Sequence, residues 1–375
     1  MAHRNLQNFN KMPPSQIPEI SDSVEMRHEV SDYLQMVFFL TFMLIGLPVN
    51  ISTLIYMLGR YRRAKSFLLL LHINLNISDL LVLGAYVPGL VGWLITLEWR
   101  GGALLCKVMR FVDVFVLSIS SNIMVCIALY RLYALRHPLW MSALGHSRFR
   151  RMLLGSWLLA AVSMLPQLYV WRQVDFGRIR QCVTIWTEKI VLNWNQSQMT
   201  ELDFTLMKLY GIQNAFTTFY VPLVILVICY DIYKTLNSKT EQEMSSAWYL
   251  TELSKNSIAT KKPPMKRKEK AGTVLLIRTV RGQDKLRHAK IRSLRITLLL
   301  ILVYVITWLP NNLLSWWMVI SFDSYRNYQD AMFPLAFLVV LNSVINPFIY
   351  AIIKQSKSRK RCKSLHGSLQ HGFLR

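Results

Sequence analysis

A chain of 375 residues that is 53% hydrophobic and carries a net charge of +24 has apolar runs too long for one large or two small soluble domains. The basic surplus flanks those runs instead of forming a module of its own, which argues against a nucleic-acid partner. With no G-x-S-x-G, H-E-x-x-H, Walker loop or Cys/His metal spacing, the sequence also offers no enzyme constellation and no metal site.

Residues 1–32 are polar, carry Pro13, Pro14 and Pro18, and include Glu19, Asp22, Glu25, Glu29 and Asp32. They hold no apolar core ahead of a small-residue cleavage site, so the first apolar run is expected to act as its own targeting signal. Seven such runs follow, at roughly 35–59, 67–95, 104–134, 150–171, 206–233, 291–320 and 331–353. Each has the ~20 residues needed to cross a hydrocarbon core of ~30 Å as a helix. One run alone could be a buried core helix. Seven separated by polar stretches point to membrane spans, which must be helical because lipid cannot satisfy backbone groups. Basic residues collect in alternate connections: Arg60, Arg62, Arg63 and Lys65; Arg148, Arg150 and Arg151; "KKPPMKRKEK" at 261–270; and "KSRKRCK" after the last run. The positive-inside rule then predicts an outside N-terminus and an inside C-terminus. The long connection at about 234–288, with Pro263 and Pro264, reads as a polar linker that turns helical as it enters the sixth run. No internal repeat is visible, which weighs against many secondary-transporter folds.

Polar groups within the runs stand out. Asp79 falls at membrane depth in the second, with Asn50, Ser120, Asn342 and Asn346 as candidate neighbours. Two readings follow: a hydrogen-bonded hub that packs helices, or a water-filled cavity holding a cation. Pro88, Pro166, Pro222, Pro310 and Pro347 lie inside runs and suggest helices built to bend. Cys126 and Cys229 read as apolar packers. Cys106 and Cys182 fall on the outside; a bridge between them would close a loop of about 75 residues, worth roughly 4 kcal/mol. Asn195-Gln-Ser197 is an outside glycosylation acceptor, and Cys362 sits in a basic stretch suited to palmitoylation.

Further marks occur in order: Asn50; "LNISDL" with Asp79; Trp99-x-x-Gly102-x-x-x-Cys106; Trp157; Pro222 and Tyr230; Trp308-Leu-Pro310; and "NPFIY" from Asn346 to Tyr350. Over about 33–365 the chain resembles a rhodopsin-like (class A) G-protein-coupled receptor. "PQLYVW" (166–171) and "RQCVTIW" (180–186) look similar to the gonadotropin-releasing-hormone and adipokinetic-hormone receptor group, itself related to vasopressin receptors. The resemblance implies an all-α membrane protein, a seven-transmembrane helix bundle with a short amphipathic eighth helix. Its parts would be an extracellular tail over 1–32, a receptor domain over 33–353, and the amphipathic helix and cytoplasmic tail over 354–375. It further implies the plasma membrane, an extracellular peptide ligand, a heterotrimeric G protein, membrane lipids as neighbours, and no cofactor beyond an allosteric sodium ion.

Residue roles carry over by position. Asn50, Asp79, Ser120, Trp308, Asn342, Asn346 and Tyr350 match the family's sodium and switch positions. Arg131, Tyr230 and Lys290 match the G-protein coupling side. Gln167 matches a glutamine shared by these peptide receptors, and Arg110 and Asp113 stand about one turn apart on one face of the third run. Trp308, Asn311, Asn312 and Trp316 complete the ligand candidates. The chain departs from the pattern twice. Tyr130 replaces the acid beside Arg131, so the resting state is expected to be less favoured. Asn311 and Asn312 stand where gonadotropin-type receptors carry tyrosines, which leaves the peptide open. The competing readings are a receptor-like chain that no longer couples and, from another class, a transporter or channel.

Overall fold

The computed structural model describes residues 28, 30–136, 147–177, 179–192, 199–259, 296–321, 324, 335 and 337–350. Among them, six helices are long and apolar enough to cross a membrane: Val30–Ala64, Phe67–Thr96, Gly102–Ala134, Ser147–Val170, Glu201–Leu236 and Ile296–Ile320, here the first to sixth spans. The shorter apolar helix Leu338–Tyr350 is the seventh. All seven fall on the apolar runs. The expected amphipathic eighth helix over 354–375, and Lys290, Asn195 and Cys362, lie outside the described residues.

Of the five prolines expected to bend helices, three coincide with irregular backbone, whereas Pro310 and Pro347 lie in unbroken helix. Val82–Tyr86 and Phe216–Tyr220 are single π turns, each placed directly before a Val-Pro pair, Val87-Pro88 and Val221-Pro222. A proline inside a helix lacks an N–H and crowds the carbonyl four residues back. A widened turn accommodates both effects. Pro166 instead starts the new helical segment Pro166–Val170 after a break at Met164 and Leu165. The fifth span begins with a capping box: Thr200 accepts from the Asp203 N–H, and Asp203 accepts from the Thr200 N–H. That helix runs on to Ala259, well into the stretch whose polarity reads as a linker. Residues 234–259 contain no proline and several good helix formers, so an established helix propagates through them at little cost.

The sequence pattern predicts no strand, yet two occur among the described residues. Strands β1 (Trp171–Asp175) and β2 (Arg180–Thr184) form an antiparallel hairpin in which Gln173 faces Cys182. Gly177 turns it with φ +87°, where a Cβ would be strained, and donates its N–H to Asp175 Oδ1 at 2.9 Å. The short helix Ile185–Leu192 follows.

The chain divides into two compact units, one within Met1–Ile127, His146–Val224 and Leu302–Phe348, the other within Ala128–Gly145, Ile225–Ile301 and Ile349–Arg375. The first unit has a core of Phe39, Val82, Leu83, Val87, Val91, Leu94, Val116, Val340 and Val344, drawn from the first, second, third and seventh spans. Gly46 allows that contact: a Cβ there would lie 2.7 Å from Leu83 Cδ1 and 3.3 Å from Val344 Cγ2. Leu44 and Ile55, on other faces of the first span, are exposed. Such apolar exposure carries no penalty where the solvent is lipid.

Candidate functional site

Four clusters gather the polar and aromatic side chains singled out above. The first lies beneath the hairpin. Arg110 and Asp113 form an ion pair at 2.7 Å with side chains 11% and 7% exposed. The guanidinium lies 4.9 Å from the Trp93 ring centroid and 5.5 Å from that of Trp171. Indole faces attract a desolvated cation, so two elements help the carboxylate to hold it. Trp171 donates its N–H to Gln167 Oε1 at 3.0 Å and to the Tyr210 hydroxyl at 2.9 Å, while Tyr210 donates to Gln167 Oε1. The Gln167 amide donates to Asn214 Oδ1 at 3.0 Å. On the other flank Trp93 donates to Gln181 Oε1 at 3.1 Å, and the Gln181 amide donates to the Leu97 carbonyl at 2.6 Å. Arg110 Nε, Asp113 Oδ1, Gln173 Oε1 and Trp186 Nε1 are buried and make no hydrogen bond among the described residues.

A disulfide between Cys106 and Cys182 joins the third span to β2, with Cα atoms 5.6 Å apart. It sits in a cluster with Trp93, Trp99, Val174 and Val183. The Trp99-x-x-Gly102 spacing has a local cause. Gly102 takes φ +79°, its carbonyl accepts the Trp99 indole N–H at 2.9 Å, and the Trp99 backbone N–H donates to the Arg180 carbonyl at 2.8 Å.

The second cluster surrounds Asp79, which is fully buried. The Asn346 amide donates to both carboxylate oxygens, at 3.1 and 3.0 Å. Asn50 donates to the Gly46 carbonyl at 2.9 Å and the Ser343 carbonyl at 3.1 Å, and accepts from Asn76 at 2.6 Å. The three spans are therefore joined through side-chain amides. Ser120 Oγ, Asn342 Oδ1 and Asn346 Oδ1 are buried with no hydrogen bond among the described residues. Hydroxyl, amide and carboxylate oxygens are the donor type that a small hard cation takes, so the chemistry of these residues fits sodium.

The third cluster is aromatic. Trp308, 3% exposed, stacks on Phe219 with centroids 6.4 Å apart and packs on Tyr304 at 5.4 Å. Trp316 meets Tyr220 edge-on at 6.1 Å. Asn312 is buried and donates to the Trp308 carbonyl of its own helix at 2.9 Å, whereas Asn311 is partly exposed.

The fourth belongs to the second unit. Arg131 is buried and lies within electrostatic reach of Tyr233 and Tyr350. Tyr130 beside it is half-buried, as is Tyr230.

The structure thus separates the ligand candidates: Arg110, Asp113 and Gln167 share one network, while Trp308 and Trp316 belong to aromatic contacts of the sixth span. Sequence reasoning missed Trp93, Trp171, Tyr210 and Asn214 around Arg110, and Asn76 and Ser343 around Asp79. The available signals were Asn76 one turn before Asp79 and the tryptophan-rich edges of the second and fourth spans.

Compared with known proteins, residues 49–350 match the family described as 7 transmembrane receptor (rhodopsin family). The chain is 29% identical to the G-protein coupled receptor daf-38 of Caenorhabditis elegans, covering 86% of this chain and 88% of that protein. It is 26% identical to the gonadotropin-releasing hormone II receptor of Clarias gariepinus, over 82% of this chain and 72% of that one. It is 24% identical to the mouse vasopressin V1b receptor, over 86% of this chain and 74% of that one.

Proposed function

Because the chain belongs to the rhodopsin family of seven-transmembrane receptors, we propose that it binds a peptide hormone or neuropeptide at its outer face and transmits that binding to a heterotrimeric G protein. The fold is accordingly an all-α membrane protein built as a seven-transmembrane helix bundle, and the family is one of receptors, not enzymes. The peptide is of the gonadotropin-releasing-hormone or adipokinetic-hormone type, in keeping with the Clarias gariepinus relative. The chain sits in the plasma membrane with its N-terminus outside.

One observation carries the ligand class. Arg110, Asp113, Gln173 and Trp186 bring buried, unspent donors and acceptors beneath the hairpin. A buried polar atom is costly until paired, and a peptide backbone supplies amide N–H and carbonyl groups in the needed mixture. Binding is then a shift in a two-state equilibrium, since a ligand moves the bundle only by its differential affinity for the two states. A panel of amidated neuropeptides tested on cells expressing the chain, with nucleotide uptake by the G protein as readout, checks this reading. For an active peptide, excess nucleotide should lower affinity by roughly 5–150-fold, because coupling is reciprocal. Affinity indifferent to nucleotide would favour the second reading, a receptor-like chain that no longer couples. The observation behind that alternative is Tyr130, which puts a neutral phenol where the family has an acid.

Sodium at Asp79 is part of the same proposal. Asp79, Ser120, Asn342 and Asn346 would hold the ion, which would favour the state in which these oxygens stay together. Sodium should therefore weaken agonist binding in the wild type, and Asp79→Asn should abolish most of that effect. Equal sodium sensitivity of the two chains would leave Asp79 as a packing hub only.

A further inference from the structure

Gln181 stands on β2 beside Cys182 and is 1% exposed. Both ends of its amide are spent on the second span. Oε1 accepts the Trp93 indole N–H at 3.1 Å, and Nε2 donates to the Leu97 carbonyl at 2.6 Å. An indole N–H can only donate and a carbonyl can only accept, so the amide has one orientation here. Leu97 ends the helix Val87–Thr96 in the left-handed region, at φ +53°. Leucine rarely adopts that conformation, and carbonyls at a helix end lack intrahelical partners, so the Gln181 bond holds this end in place.

Trp93 is thereby fixed from two sides. Gln181 takes its N–H, and Trp99 meets its ring edge-on at 5.6 Å and 79°. Its face lies 4.9 Å from the Arg110 guanidinium. Attraction to a cation comes from the ring face, so the rotation of the indole decides how well Arg110 is held. The two neighbours on β2 divide the work. Cys182 binds Cys106 of the third span, and Gln181 binds Leu97 of the second. Cys106 and Leu97 each stand four residues, about one helical turn, from Arg110 and Trp93. We propose that Gln181 is a positioning residue of the outer site: it orients Trp93 and, through that indole, the Arg110 guanidinium that an incoming peptide meets.

The consequence for binding rests on the peptide reading, so the test has one arm that needs no ligand. Full-length wild type, Gln181→Met, Trp93→Leu and the double variant are purified in lipid nanodiscs and treated with phenylglyoxal. Mass spectrometry follows the modification of Arg110 and, as a control in the other unit, Arg131. Methionine keeps the length of glutamine and removes both bonds. Gln181→Met should speed modification of Arg110 about 2- to 10-fold, the effect of weakening one cation–π contact, and leave Arg131 unchanged. The double variant should react no faster than Trp93→Leu. Gln181→Glu, whose neutral carboxyl offers the same acceptor and donor, should restore the wild-type rate. Gln181→Asn, one methylene too short to reach both partners, replaces Gln181→Met if that chain does not fold. A wild-type rate at Arg110 overturns the proposal, and so does an equal rise at Arg131, which would mark general loosening. Multiplying effects in the double variant overturn the route through Trp93. In the second arm, a labelled gonadotropin-releasing hormone II peptide should bind Gln181→Met more weakly than the wild type. Equal affinity removes Gln181 from peptide recognition. If the wild type does not bind this peptide, the peptide type falls, and the Arg110 rates alone decide the role of Gln181.

Discussion

Replacing Asp113 with leucine is expected to destabilise the purified receptor by about 3–5 kcal/mol, since it leaves the Arg110 charge buried without its carboxylate. The pair is 2.7 Å long and both side chains are nearly dry. The Trp93 and Trp171 faces remain to hold the guanidinium, but exposed or partly desolvated cation–π contacts contribute only ~0.5–2 kcal/mol each. They cannot offset the loss. Changing both partners to apolar residues of similar size, Arg110→Met with Asp113→Leu, should recover most of the stability, because the uncompensated charge disappears with its partner. Thermal denaturation in detergent measures all three chains. A single variant no less stable than the double would mean that the pair is wet and weak. Peptide binding should remain impaired in the double variant, since the unspent Arg110 and Asp113 atoms are then gone.

The second large effect concerns the disulfide. Cys106→Ser and Cys182→Ser should each cost about 4 kcal/mol, from the chain entropy regained when a cross-link spanning 76 residues is lost. The two changes together should cost little more than either alone, because they remove one bond. The loss should also loosen the hairpin over the Arg110 network, since Gln173 stands opposite Cys182 and Trp171 begins the same β1 strand. Surface display together with melting temperature checks the expectation. A variant with wild-type melting would show that the Trp93, Trp99, Val174 and Val183 cluster holds β2 without the covalent link.

The seven spans, the irregularities at Pro88, Pro166 and Pro222, and the disulfide cysteines were legible before any coordinates, because each is written locally. An apolar run of about 20 residues can satisfy its backbone in lipid only as a helix, and a proline loses its hydrogen bond wherever it stands in one. Asp79 was legible as a special group for the same reason: a carboxylate at membrane depth must find partners. Which partners it finds was not written locally. Its Asn346 bonds join residues 267 apart, and the Trp93–Gln181 bond joins residues 88 apart. Only the packing of whole helices brings such groups within hydrogen-bonding distance, and no short window of sequence contains that information. The hairpin escaped notice because it lies between two helices and is short, so its alternation of buried and exposed residues covers only five positions per strand. Sequence alone determined where the helices run and which polar groups at membrane depth must find partners; the tertiary structure decided which partners they find, because that choice depends on side chains from other helices arriving at the same depth.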